Sequence, residues 1–442
     1  MNKVATTSTE QLIENSDVSL TDKFNKDDVS WILSLFGTAV GAGILFLPMS
    51  AGSGGFWPLI LMTLLIGPMC YFSHRGLMLY VLSSSKKDAD VIDVVQESFG
   101  VSKANMIALL HIFAFYPVLL IYGNSLTNTI ESLLMNQLHF TRMVDGVEIS
   151  MVPRWLLSGV LISGMIFVMY SGKHMMLRLA KFFVYPLIVI LFSLSIYLIP
   201  TWRIDAFSLQ QMPSLSDLLI YTWLTIPVLI FAFNHSPSIS SFAVAQRQRY
   251  GENAALKADR MVRVASSMLL VFIMFFVFSC VMSLAPEQLL EAKNANLTIL
   301  SYLANVYDSQ IINILGPMVA FVSIVSSFFG HYLGAREGIV GMVNRVGVNY
   351  LHVLTEKRID LFVAWFVGIT VWSVTQFNPS VIDLITKLGS PVMVALLYFM
   401  PMYALYKTPA MKKYRKQWSN KFVILMGVLG MTSIIYGMFV GN

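Results

Sequence analysis

The sequence predicts an all-α membrane protein of eleven transmembrane helices. Three features point there: a scarcity of charge, apolar runs about one bilayer long, and basic residues sorted to one side of those runs. Of the 442 residues, 56% are hydrophobic and only 12% are charged, about half the charged share of a typical soluble domain. A hydrocarbon core roughly 30 Å thick asks for about 20 apolar residues per helix. Eleven runs meet that demand, at about 31–51, 56–80, 105–127, 155–171, 182–200, 218–245, 262–284, 312–333, 361–376, 381–405 and 422–440. The fourth and ninth are short, so the count leans on a second test.

That test is charge. With the N-terminus in the cytoplasm, Arg142, Arg154, Arg203 and Lys293 fall outside and Lys387 falls within span ten. The other 25 of the 30 Lys and Arg face the cytoplasm. The positive-inside rule requires such a bias, and one missed or invented span would swap every later loop and destroy it. An N-terminus inside and a C-terminus outside are therefore expected. Trp31, Trp57, Trp155 and Trp202 sit at span ends, where an interfacial belt places them. The formal charge of +6 forms no nucleic-acid patch, because its basic residues sort by membrane side.

Along the chain, residues 1–30 read as a polar cytoplasmic tail, 31–405 as a transport core of ten spans, and 406–442 as a basic loop with a final span. The start is no cleavable signal peptide, since a basic stretch does not lead directly into an apolar one. Cys70 and Cys280 lie in apolar runs and read as small hydrophobes, with no disulfide framework or metal site implied.

Span one holds Gly37-Thr38-Ala39-Val40-Gly41-Ala42-Gly43 and then Pro48. Each glycine weakens a helix by roughly 1 kcal/mol relative to alanine. Small residues four apart also serve close helix packing, so span one alone is ambiguous. Span six resolves it. It holds Phe233-Asn234-His235-Ser236-Pro237 near the bilayer midplane, where proline removes a backbone donor and disfavours helix at Ser236. The breaks open two consecutive sets of five spans, and an odd number turns the second set upside down. Interrupted helices at matching places of inverted halves point to a transporter binding site, because freed backbone groups must line a cavity rather than face lipid. A half-helix N-terminus offers N–H groups and partial positive charge to a carboxylate. Unwound carbonyls accept from an ammonium. Together they suit a small zwitterion, with Gly41 and Gly43 leaving backbone open to it.

Other residues carry both a functional and a structural reading. Intramembrane His235 and His331 are candidates for proton or substrate contact; for His331 an interhelical hydrogen bond is the plainer role. Lys181 starts span five, as a coupling cation or a snorkelling interfacial lysine. Asp383 and Lys387 are spaced to neutralise each other. Tyr116-Pro117 and Tyr122 of span three wall the pocket or simply pack.

The span-one string Gly37 to Gly43 with Ile44-Leu45-Phe46-Leu47-Pro48 resembles the first-span signature of the hydroxy/aromatic amino acid permease family. Phe233 to Pro237, Ser240-Ser241-Phe242 and Gly330-His331-Tyr332-Leu333-Gly334-Ala335-Arg336-Glu337-Gly338 resemble its hydroxy-amino-acid branch. The likeness runs from about Trp31 to the last span. It implies a fold of the LeuT type, five plus five inverted spans with discontinuous helices one and six, followed by an eleventh. It also implies a bacterial inner-membrane location and proton-coupled uptake of L-serine or a related hydroxy amino acid. On that reading Thr38, Ala39, Gly41, Ala42, Gly43, Phe233, Asn234, His235 and Ser236 hold the substrate. One departure concerns the ion: the family usually has a lysine before the Ser-Phe of span eight, and here Ser326 precedes Ser327-Phe328. Ser326 and Ser327 are therefore candidate sodium ligands, beside His331 and Lys181 as coupling residues. A sodium-coupled serine/threonine carrier and an aromatic amino acid permease stay open as alternatives, as does a passive channel or sensor. No cofactor beyond the co-transported ion is expected, and no enzyme: no Gly-x-Ser-x-Gly, His-Glu-x-x-His or phosphate loop occurs.

Overall fold

A chain surrounded by hydrocarbon must satisfy its own backbone, and helices do so within each segment. In the computed structural model, which describes residues 23–171, 173–346 and 356–440, nearly every apolar run is helical. Helices α1 (Lys26–Ala39) and α2 (Ala42–Ala51) are followed by α3 (Phe56–Val81) and a surface helix α4 (Val91–Phe99). Then come α5 (Val101–Ser132), a hairpin of β1 (Thr141–Val144) with β2 (Val147–Ser150), α6 (Arg154–Tyr170) and α7 (Lys173–Tyr197). The second half begins with α8 (Leu215–Ala232) and α9 (Ser236–Tyr250), then α10 (Ala254–Ser283), α11 (Pro286–Asn294), α12 (Ile299–Val306) and α13 (Gln310–Val346). The chain closes with α14 (Glu356–Gln376), α15 (Val381–Lys407) and α16 (Trp418–Val440).

Among the described residues, eight helices are long and apolar enough to cross a membrane, and the bent pair α1–α2 makes a ninth. Shorter apolar helices, Arg154–Tyr170 and Tyr185–Thr201, lie where spans four and five were expected. Exposed apolar side chains such as Leu64, Val160, Val189, Val271 and Phe362 face outward from the bundle, as lipid contact requires. The interior is one continuous core that reaches from Ile32 to Ile434.

Glycines set the tightest contacts. A Cβ on Gly123 would lie 2.1 Å from Val371, and one on Gly368 would lie 2.0 Å from Ile166. Helix α15 is not uniform: it widens into π turns at Leu384–Gly389 and Ala395–Phe399, a device common at functional sites. The hairpin, α4, α11 and α12 lie between the spans and were not anticipated.

Two ion pairs tie the ends of the bundle. Arg154 reaches Glu131 and also donates to the Thr375 carbonyl at 2.8 Å, Asn124 at 2.9 Å and Asn128 at 2.6 Å, joining α5, α6 and α14. On the opposite side Lys257 meets Asp28 at 3.2 Å with both side chains buried. Tyr250 donates to the same carboxylate at 2.6 Å. Asp383 and Lys387 pair at 3.1 Å, as their spacing predicts.

Candidate substrate and ion pathway

Both expected breaks are present. Span one stops at Ala39 and restarts at Ala42, bent by 54°. Val40 and Gly41 between them are extended, and Gly41 supplies no side chain to cap α2. The leading N–H groups of α2 have no acceptor within the helix, as at any helix start. In span six, α8 ends at Ala232 and α9 begins at Ser236 with proline in its first turn. Asn234 bridges the gap, its side-chain oxygen accepting from the Ser236 N–H at 3.0 Å.

The breaks are stitched to each other and to span eight. Thr38 Oγ1 and Ser238 Oγ are 2.7 Å apart, linking α1 to α9. Ser327 Oγ donates to the Thr38 carbonyl at 3.1 Å, and Ser323 Oγ to the Val40 carbonyl at 3.4 Å. Tyr122 Oη shares a hydrogen bond with Ser327 at 2.8 Å. Gly41 owes its small size to this junction, for its Cβ would lie 2.5 Å from Ser327 Oγ and 2.8 Å from Tyr122 Oη. Gly43 is pressed likewise against Phe231 and Ala232. The space opposite both glycines is thus filled by protein in this state.

A cavity of about 620 Å³ lies beside these contacts. Its lining includes Ser34, Thr38, Ser238, Ser240, Ser326 and Gly330, together with the exposed Asp88 and Gln248. It therefore opens on the side that carries the α3–α4 loop and the start of α1. Of the expected substrate residues, only Thr38 lines it. Ala39, Gly41, Ala42, Gly43, Phe233, Asn234 and His235 are buried outside its lining, and Ser236 is half-buried.

The ion candidates separate. Ser326 faces the cavity and also donates to the Ser323 carbonyl at 3.2 Å. Ser327 holds the Thr38 carbonyl, as described. His331 is buried, bonds the Ser327 carbonyl one turn back on its own helix at 3.0 Å and lies edge-on to Tyr122 of α5, so the hydrogen bond is within the helix and only the ring contact crosses between helices. The side chain of Lys181 lies outside the described residues.

One residue escaped the sequence reading altogether. His74, on α3, stacks on His235 with ring centroids 3.6 Å apart and planes 8° from parallel. Its Nε2 accepts from the His235 backbone N–H at 3.1 Å, and its Nδ1 bonds the Cys70 carbonyl at 2.8 Å. A backbone N–H only donates and a carbonyl only accepts, so His74 is the neutral Nδ1–H tautomer. A lone histidine inside an apolar span is itself a functional signal; here the broken helices drew attention away from it.

Two interrupted helices lining a cavity inside an apolar bundle define a polytopic membrane protein of the discontinuous-helix class. The fold is that of MhsT, solved in complex with L-phenylalanine: the TM-score is 0.54 at 15% identity, covering 93% of this chain and 98% of that one. The chain belongs to the tryptophan/tyrosine permease family, whose model matches residues 29–437. The serine transporter SdaC of Escherichia coli K12 is 43% identical over 420 residues, 94% of this chain and 96% of that protein. The threonine/serine transporter TdcC of Edwardsiella tarda is 36% identical over 433 residues, 93% of this chain and 96% of that protein. The family resemblance read from the motifs is upheld, and both of these relatives are named transporters. Amino acid transport is the activity class that family and relatives support.

Proposed function

We propose that this protein is a secondary carrier that imports L-serine, and L-threonine less well, by proton symport through alternating access. One observation carries the reading: a cavity lined by serine and threonine hydroxyls among apolar side chains reaches Thr38 and Ser238, where the two broken helices meet. An inward-facing carrier has that form, with its substrate site closed from the outside. On this reading the open side faces the cytoplasm, with eleven crossings, two inverted sets of five, and the C-terminus outside the inner membrane; the basic loops support that orientation.

The substrate pose follows from the free backbone groups. Of the stretch from Ala39 to Gly43, the Val40 N–H is held by the Phe36 carbonyl, so a serine carboxylate lies against the amides of Gly41 to Gly43, and its ammonium meets carbonyls near Thr38 and Phe233. Asn234, Ser236 or a span-eight hydroxyl reads the substrate hydroxyl. A site that must satisfy that hydroxyl rejects alanine strongly, whereas one extra methyl is worth only about 1–3 kcal/mol against threonine. One proton moving through 100 mV gains about 2.3 kcal/mol, enough to concentrate serine about fifty-fold.

A second reading rests on the junction of spans one and eight. The Thr38 and Val40 carbonyls accept from Ser327 and Ser323, and Ser326 adds a third hydroxyl at the cavity wall. Neutral oxygen ligands of this kind suit sodium as the coupled ion.

Purified protein in liposomes decides among these. Labelled serine uptake should be competed by threonine, weakly by alanine and not by tryptophan, and should follow an inward proton gradient at constant sodium. Uptake that tracks sodium alone would favour the second reading. Absence of serine counterflow against a collapsed gradient would remove the carrier assignment, since a passive channel does not exchange.

A further inference from the structure

Beside the span-six break, Cys70, His74 and His235 bring potential ligand atoms within 4.8 Å of one another. A shared metal ion does not fit them. A metal sits in the plane of each imidazole it binds, and these two rings are stacked, with centroids 3.6 Å apart and planes 8° from parallel. The cluster suits a proton instead.

We propose that His74 is the proton-coupling residue of this carrier, its accepting nitrogen masked by the span-six peptide in the inward-facing state. The inference rests on the proton-symport reading above. Its basis is the direction of two hydrogen bonds. His74 Nε2 accepts the His235 N–H at 3.1 Å while Nδ1–H serves the Cys70 carbonyl at 2.8 Å. Both nitrogens are occupied, so a proton can bind only at Nε2 and only by displacing that N–H. Once protonated, Nε2 becomes a donor facing a donor, and the contact between α3 and the break must open. His235, stacked face to face, opposes a second positive charge at the same place.

Proton occupancy and break geometry therefore exclude each other. A proton from outside binds Nε2 when the break has left His74. The return of the His235 N–H expels it towards the cytoplasmic cavity, one proton per cycle with no other bond made or broken. A ligand shifts a conformational equilibrium only through such differential affinity.

The surroundings leave the pair electrostatically isolated. On α3 it faces the Cys70 thiol and the Ser73 hydroxyl. Helix α10 contributes the Ser266 hydroxyl, bonded to Cys70, and α15 contributes Tyr398, which bonds Ser73. The break itself adds Asn234. Arg75, the next residue along α3, is paired with Asp259 at 2.6 Å. His235 Nε2 has no hydrogen-bond partner among the described residues and is the one competing seat for the proton.

His74→Gln tests the assignment, because a glutamine oxygen accepts the same N–H but does not titrate in this range. Serine counterflow, which needs no net proton movement, should persist. Accumulation driven by 100 mV should fall from about fifty-fold to unity, and uptake should lose its dependence on pH between about 6 and 8. A variant that still accumulates serine with proton influx would overturn the assignment and leave His235 as the seat. If net serine uptake by the wild-type protein brings no proton influx and ignores the proton gradient, the symport reading itself is wrong, whatever the variant does. Hydrogen exchange on the wild-type protein needs no variant to fold: protection of the His235 amide, corrected for intrinsic rate, should drop between about pH 8 and about pH 6. An unchanged protection factor would refute the masking.

Discussion

Replacing Gly41 with alanine probes the junction of the broken span with spans three and eight. The new Cβ would lie 2.5 Å from Ser327 Oγ, 2.6 Å from Ser327 Cβ and 2.8 Å from Tyr122 Oη, so Ser327 must move. Overpacking of this kind costs about 1–3 kcal/mol. Ser327 holds the Thr38 carbonyl at 3.1 Å and Tyr122 at 2.8 Å, and losing both bonds adds about 1 kcal/mol each. The total is about 3–5 kcal/mol. Because the clash is with protein, the loss should appear without serine, as a lowered melting midpoint in detergent and a fall in counterflow rate. Gly41→Ala combined with Ser327→Gly removes the two closest atoms. The double variant should recover at least about 1 kcal/mol relative to the sum of the single effects. Strict additivity, or wild-type melting and transport in the single variant, would refute the packing argument.

Thr38→Val removes the 2.7 Å contact with Ser238 that joins the two broken helices; at about 1 kcal/mol the apparent affinity for serine should weaken about five-fold, measured by competition uptake. Lys257→Met leaves the Asp28 carboxylate buried without its cation, which stands 3.2 Å away. Thermal unfolding should register a loss of about 3–5 kcal/mol, with the start of α1 released from α10. Glu97, on the surface helix α4, accepts from Ser84 at 2.5 Å and from Ser85 at 2.7 Å, and these bonds hold its carboxyl below the usual glutamate value. Its folded value lies below its unfolded one, so the stabilisation is present above the unfolded value and lost as pH falls through the folded one. Hydrogen exchange in residues 83–90 should accelerate over that acidic window beyond the intrinsic trend, and should not in Glu97→Gln.

The chain alone determined that it spans a membrane as a helical bundle, because hydrophobic length and sorting of Lys and Arg are properties of order along the sequence. It also placed both interruptions, since Gly41 and Pro237 weaken a helix wherever they stand. It paired Asp383 with Lys387, because neighbours four apart on a helix are fixed by local geometry. The family followed from the same strings. What it did not carry was contact between distant segments. That Gly41 is small for the sake of Tyr122 and Ser327 depends on how spans one, three and eight cross. The stacking of His74 on His235 joins residues 161 apart, and an isolated histidine in an apolar run gives no hint of its partner. The cavity was invisible for the same reason: its walls come from spans one, six and eight, and only their packing leaves the space between them.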